Sequence, residues 1–185
     1  MSPLQTLTAE HAQLKRVVAL LFAEACRINE GARADLPRLE ALVDFLDAYL
    51  LGGHQLRETI LFEAMFAAGS SRVDSPPAVR VHEQAAERAY IARLRGALAA
   101  IRGGDRLAEE ELAAAAGDYA DLAILHMSRE EAAVYGRAPD LLGAFALAQV
   151  GVRLGPTPNG LAEMTKAAAA LEAAGARASS DGRQT

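Results

Sequence analysis

Two stretches of this chain, His54-Gln55-Leu56-Arg57-Glu58 and His126-Met127-Ser128-Arg129-Glu130, share the pattern H-x-x-R-E. On an α-helix a step of four residues turns about 400° and climbs about 6 Å, so each imidazole stands directly over its carboxylate on one face. The chain contains four histidines, and the other two, His11 and His82, precede His54 and His126 by 43 and 44 residues. A helix with a lone His followed by a helix with H-x-x-x-E therefore occurs twice. A chain that repeats this unit is constrained to bring four His and two Glu together from four helices.

Composition agrees with helices. Hydrophobic residues make up 51% of the 185 and aromatics only 5%, and no sustained period-two run of β-branched and aromatic residues suggests a strand. The length suits one domain with some tail. A net charge of -5 without a basic cluster argues against nucleic acid as a partner. Cys26 is alone, so no intrachain disulfide forms. Met1-Ser2-Pro3-Leu4 has no basic and apolar leader character, and the longest uncharged apolar run, Leu141 to Val152, is too short to span a bilayer. The expectation is a protein of a reducing cytoplasm, without a membrane partner.

Punctuation places the helices. The first starts near Thr8 as cap and ends around Asn29-Glu30-Gly31, with His11 on the apolar stripe of Leu7, Leu14, Val18, Leu21 and Phe22 and Lys15 leaning into water. Asp35 caps a second, whose pattern meets Gly52-Gly53 just before His54 and either runs through or bends there. It stops at Ala68-Gly69. The third runs from about Pro77 to Arg102, with His82 beside Ala78, Ala85, Ala89 and Leu94; the fourth runs from Asp105 to about Tyr135-Gly136 with Leu112, Tyr119, Ile124, Leu125 and His126 inward. Short links favour an all-α, up-down antiparallel four-helix bundle over residues 1–138. A helical extension is expected over 139–174, broken at Gly155 to Gly160, and a disordered tail over 175–185.

Taken singly, a His on an apolar face is usually a hydrogen-bonded core residue. Here every His is expected inward, and Glu58 and Glu130 would be costly buried carboxylates unless a metal offset their desolvation. Imidazoles and carboxylates without thiolates suit iron, manganese or zinc, and six ligands suit a pair of ions better than one closed zinc site. The Glu-x-x-His order of ferritin-like di-iron bundles fits poorly, and a bis-His haem would leave both glutamates without a role.

The order His11, His54-x-x-x-Glu58, His82, His126-x-x-x-Glu130, with Leu61-Phe62 after the first motif and Glu130-Glu131 within the second, resembles the hemerythrin-like, HHE cation-binding domain across about residues 5 to 136. The resemblance implies a non-haem centre of two iron ions, with His11 and His54 on one, His82 and His126 on the other, and Glu58 and Glu130 bridging. Oxygen-carrying hemerythrins add a fifth His one turn from the third, where this chain has Ala78 and Ala86. Their second bridging carboxylate lies five residues after its His, which would select Glu131; the internal repeat favours Glu130. Fewer histidines leave positions open to O2, peroxide or NO, or to a side chain such as Tyr119, for which a core role is the simpler reading. Glu83 and Glu87 are expected on a solvated face, and Arg57 and Arg129 either support the carboxylates or lie at the surface. The implied function is binding of, or reaction with, O2, peroxide or NO in sensing, storage or detoxification. The alternative is an iron- or oxygen-responsive interaction module without turnover, contacting a second copy or a protein partner through the C-terminal segment.

Overall fold

A computed structural model describes residues 1–72, 75–155 and 160–181. The fold is all-α. Helix α1, Pro3–Asn29, starts earlier than the Thr8 expectation because Ser2 and Gln5 form a capping box: Ser2 Oγ accepts from Gln5 N at 3.2 Å and Gln5 Oε1 from Ser2 N at 2.8 Å. Asp35 caps α2, Leu36–Phe45, through Arg38 N, as expected from Asp-x-Pro.

At Gly52-Gly53 the chain neither breaks nor stays α-helical. The rod widens into a π-helical segment, Leu46–His54, and resumes as α3, Gln55–Ala67. Helix α4 spans Pro76–Arg102 and α5 Ala108–Arg129, and α5 continues into a second π segment, Glu130–Tyr135. Such segments inside α-helices are rare and cluster at functional sites. Here the first ends on His54 and the second begins on Glu130.

These four rods form the bundle, with α5 packed on α1 and α4. Beyond it, α6, Ala138–Leu154, kinks at Gly143, whose φ of 69° suits only a residue without Cβ. It lies on α3. Helix α7, Leu161–Asp181, lies on α1 and α2, burying Met164 and Ala168 in the bundle core. Arg16 pairs with Glu172, and Arg38 joins the buried Glu24 to the Leu171 carbonyl. The extension is thus docked onto the bundle. Helix α7 also continues through part of the expected disordered tail; 182–185, like the loop residues 73–74 and 156–159, fall outside the described residues. No helix among the described residues is long and apolar enough to cross a membrane.

The interior has two apolar cores with a polar layer between them. One gathers Leu14, Val17, Leu21, Leu42, Leu46, Ile91, Leu94, Leu112 and Tyr119. The other gathers Leu7, Leu61, Phe62, Met65, Val134, Tyr135, Ala138 and Val150. The rods of α1, of α2 with α3, and of α5 reach from one to the other, α4 contributes apolar residues only to the first, and the buried residues between are charged or polar: Glu10 and His11, His54, Gln55, Arg57 and Glu58, Arg80, Gln84 and Glu87, and His126 and Glu130. Buried carboxylates and imidazoles sandwiched between apolar layers cannot reach water, so they must satisfy one another or a bound ion.

Some expected core positions face outward. Phe22 is 46% exposed, Ile124 42% and Leu125 49%, because Leu21 and Ala25 on α1 and Ala123, His126 and Met127 on α5 take the inward positions.

Candidate metal centre

His11 and His54 come from α1 and from the end of the first π segment. Their rings lie 4.6 Å apart between centroids. His54 Nε2 is 3.2 Å from Glu58 Oε1 and His11 Nε2 is 3.8 Å from the same oxygen; His11 Nε2 is also 3.3 Å from Glu130 Oε2. These two imidazoles and two carboxylates offer four ligand atoms within 4.8 Å of one another, all from buried residues. His54 Nε2 is buried with no hydrogen-bond partner, an orphan that a metal would satisfy.

The other face of each ring is anchored. His54 Nδ1 donates to Glu10 Oε2 at 2.8 Å, and the same oxygen receives Arg57 Nε at 3.0 Å. His11 Nδ1 donates to Glu131 Oε1 at 2.9 Å, where Lys15 Nζ also donates at 2.8 Å. Carboxylates on Nδ1 fix the ring orientation and leave the Nε2 lone pair toward the centre, the arrangement that surrounds metal-bound histidines. A cavity of about 430 Å³ between α1, α6 and the start of α7 reaches Glu10 and Arg57, one side chain away from His54.

The electrostatics of the metal-free protein follow from burial and pairing. Burial alone would lower the His54 pKa, but the neighbouring Glu58 carboxylate and the hydrogen bond to Glu10 hold it up to about 10. Burial likewise opposes protonated His11, and the nearby Glu130 and Glu58 carboxylates raise it. Glu58, although desolvated, is kept well below the usual carboxylate range by His54 and His11. Glu130 is pushed up to about 7 by burial and the Glu58 charge, against His11 and Arg80. The layer therefore holds protons where a cation would sit.

The second repeat is built differently from the first. His82 is exposed, which corrects the inward expectation. The buried positions Arg80, Gln84, Glu87, Ile91 and Leu94 form the inward stripe of α4, and His82 lies two residues, about 200°, away from it. The first half of that stripe is polar, so hydrophobic periodicity pointed to the alanines instead. His126 is buried, but its nearest partners are Glu83 Oε2, 2.9 Å from Nε2, and Glu87 Oε1, 3.8 Å from Nδ1. Neither ring nitrogen has the direction of a hydrogen bond.

Glu83 and Glu87, expected in solvent, thus face the interior. Burial pushes the Glu87 carboxyl up to about 7, and Glu87 receives Gln55 Nε2 at 2.6 Å. Arg57 is buried on Glu10, while the Arg129 side chain is 61% exposed beside Glu83. Glu131 touches His11 Nδ1, behind the cluster. Tyr119 belongs to the apolar core.

The tyrosine at the centre is Tyr135. Its hydroxyl donates to Glu58 Oε1 at 2.7 Å and lies 3.3 Å from His11 Nε2. A 3.6-residue period puts Tyr135 off the face of Glu130, whereas the i→i+5 ladder of a π segment returns it there. Glu10, Arg80 and Gln84 are buried here too, and polar residues next to a histidine stripe carry no hydropathy signal in the sequence.

A family model described as Hemerythrin HHE cation binding domain matches residues 2–138 of the chain. No curated protein and no solved structure matches it.

Proposed function

The chain belongs to the hemerythrin HHE cation-binding family, and from that premise we propose a non-haem iron protein that binds or reacts with O2, peroxide or NO, in sensing, storage or detoxification. His11, His54, Glu58 and Glu130 are its proposed ligands. The observation that carries this reading is the convergence of two Nε2 atoms and two carboxylate oxygens within 4.8 Å, with both Nδ1 atoms held by carboxylates from behind. Two imidazoles with carboxylates and no thiolate form a donor set that suits iron and leaves coordination positions for a small molecule. When bound, iron would supply reversible binding of, or electron exchange with, such a ligand.

The residues around it have separate tasks. Glu10 and Glu131 orient the imidazoles, and Tyr135 holds a hydroxyl proton on Glu58 Oε1. The two apolar cores exclude bulk water from the layer. Residues 1–138 are the proposed metal-binding bundle and 139–174 the extension upon it.

One contact supports the second reading, an interaction module that responds to iron or oxygen without turnover. Tyr135 touches the centre and also packs in the core beneath α6 with Ala138, Val150 and Leu154, while Phe145 and Val152 of α6 stand 80% and 75% exposed. A change at Glu58 thus has a direct mechanical path to an apolar outer face.

The test starts with anaerobic purification and metal analysis by mass spectrometry. O2, peroxide or NO is then added to the reduced protein while its absorption spectrum is followed. A reversible adduct or repeated consumption supports the first reading, and stoichiometric oxidation with altered assembly supports the second. Zinc without iron, with no response to any of the three, refutes both.

A further inference from the structure

We propose that the centre holds one metal ion per chain, not two, because Arg80 and Gln84 of α4 occupy the carboxylate oxygens that a second ion would need. The inference rests on the ligand reading above and concerns the count.

A carboxylate that bridges two ions gives one oxygen to each. Glu58 directs Oε1 to the histidines, 3.2 Å from His54 Nε2, and its Oε2 accepts from Gln84 Nε2 at 3.1 Å. Glu130 directs Oε2 to His11 Nε2 at 3.3 Å, and its Oε1 accepts from Arg80 Nε. Both glutamates are therefore turned the same way, with the inner oxygen toward the histidine pair and the outer oxygen toward α4.

The two α4 donors are built into the fold. Arg80 and Gln84 are four residues apart on one helical face, and they are 4% and 5% exposed. A guanidinium cannot be deprotonated in a protein, so Arg80 is a permanent cation beside Glu130. It also donates Nη1 to Glu83. A second divalent ion placed here would be repelled by Arg80 and would have to strip both outer oxygens of their donors.

The remaining candidate ligands do not offset that cost. His82 is exposed. His126 faces Glu83 and Glu87, whose carboxylates already accept from Arg80 and from Gln55 Nε2. Among the described residues, His11, His54, Glu58 and Glu130 form the set of His and carboxylate atoms that converges closely enough to hold an ion. Arg80 thus stands in electrostatically for the second metal, and Gln84 caps the other bridge.

The experiment titrates the full chain anaerobically with Fe(II), counts bound iron by mass spectrometry, then oxidises the sample for electron paramagnetic resonance. Saturation at one equivalent with the signal of an isolated ferric ion supports the proposal. Saturation at two equivalents with a coupled, silent ferric pair overturns it while leaving the ligand reading intact. Binding of no iron overturns both, and a wild-type count of one that survives unchanged in His54→Ala overturns the ligand reading. In the double variant Arg80→Met with Gln84→His, checked for folding by circular dichroism, uptake is expected to double. A folded double variant that stays at one equivalent refutes the role given to Arg80 and Gln84. The wild-type count remains decisive if that variant fails to fold.

Discussion

Replacing Glu10 with Gln keeps the side-chain volume but removes a buried negative charge that meets His54 Nδ1 at 2.8 Å and Arg57 Nε at 2.9 Å. Glu10 is fully buried and the Arg57 side chain only 5% exposed, so solvent does not screen the loss. Removing one partner of a buried ion pair costs about 3–5 kcal/mol. Against the 5–15 kcal/mol typical of a whole domain, the metal-free variant should melt much earlier than wild type. Removing the carboxylate behind a ligating His weakens metal binding about 10–100-fold, which is about 1.4–2.8 kcal/mol. Glu131→Gln is the matched control: it sits behind His11 in the same way, but its side chain is 31% exposed and its cation partner Lys15 equally so, and surface pairs contribute about 0–1 kcal/mol. The assay is competition for Fe(II) against a chelator, with urea unfolding of the metal-free forms alongside. The expected order of loss is Glu10→Gln well beyond Glu131→Gln. Equal losses, or wild-type affinity in Glu10→Gln, would refute the claim that a buried carboxylate positions His54.

Three further outcomes are expected. In the metal-free protein Glu87 and Glu130 are raised to about 7 from an ordinary 4.5, and His54 is held up to about 10 from 6.5; the fold therefore binds more protons than the unfolded chain across these windows. Stability should fall as pH rises from 4.5 toward 10, by up to about 1.4 kcal/mol per pH unit and group. Glu58, held low, adds stability above 4.5 that is lost as pH falls through its folded value, so urea midpoints measured with chelator present should peak on the acidic side of neutrality. A midpoint that climbs through neutral pH would contradict this. Leu112→Ala, at a fully buried position, should cost about 2–5 kcal/mol by urea unfolding, whereas Phe145→Ser, 80% exposed, should stay within about 0.5 kcal/mol. His82→Ala should leave iron content and affinity unchanged, and loss of iron would return His82 to the centre.

The repeated motif made His54, Glu58 and Glu130 legible because His54 and His126 each carry a carboxylate four residues on, and the apolar stripe of α1 marked His11 as inward. The same reasoning failed at His82, where the inward face of α4 is itself polar and leaves no apolar stripe to follow. It failed again at Tyr135, because a local change of helical period rotates the face and nothing in residue types alone marks a π segment. Glu10 was hidden for a different reason. Its partner His54 lies 44 positions away, and a long-range ion pair has no local signature. The bundle itself was easier to read, since caps such as Asp35 and the breaks at Gly31, Ala68-Gly69 and Gly103-Gly104 depend on nearest neighbours.

The most direct measurement is anomalous diffraction at the iron edge from crystals of iron-loaded protein. The account predicts one strong peak per chain within bonding distance of His11 Nε2, His54 Nε2, Glu58 and Glu130. A second peak between His126, Glu83 and Glu87, or a peak away from His11 and His54, would contradict it.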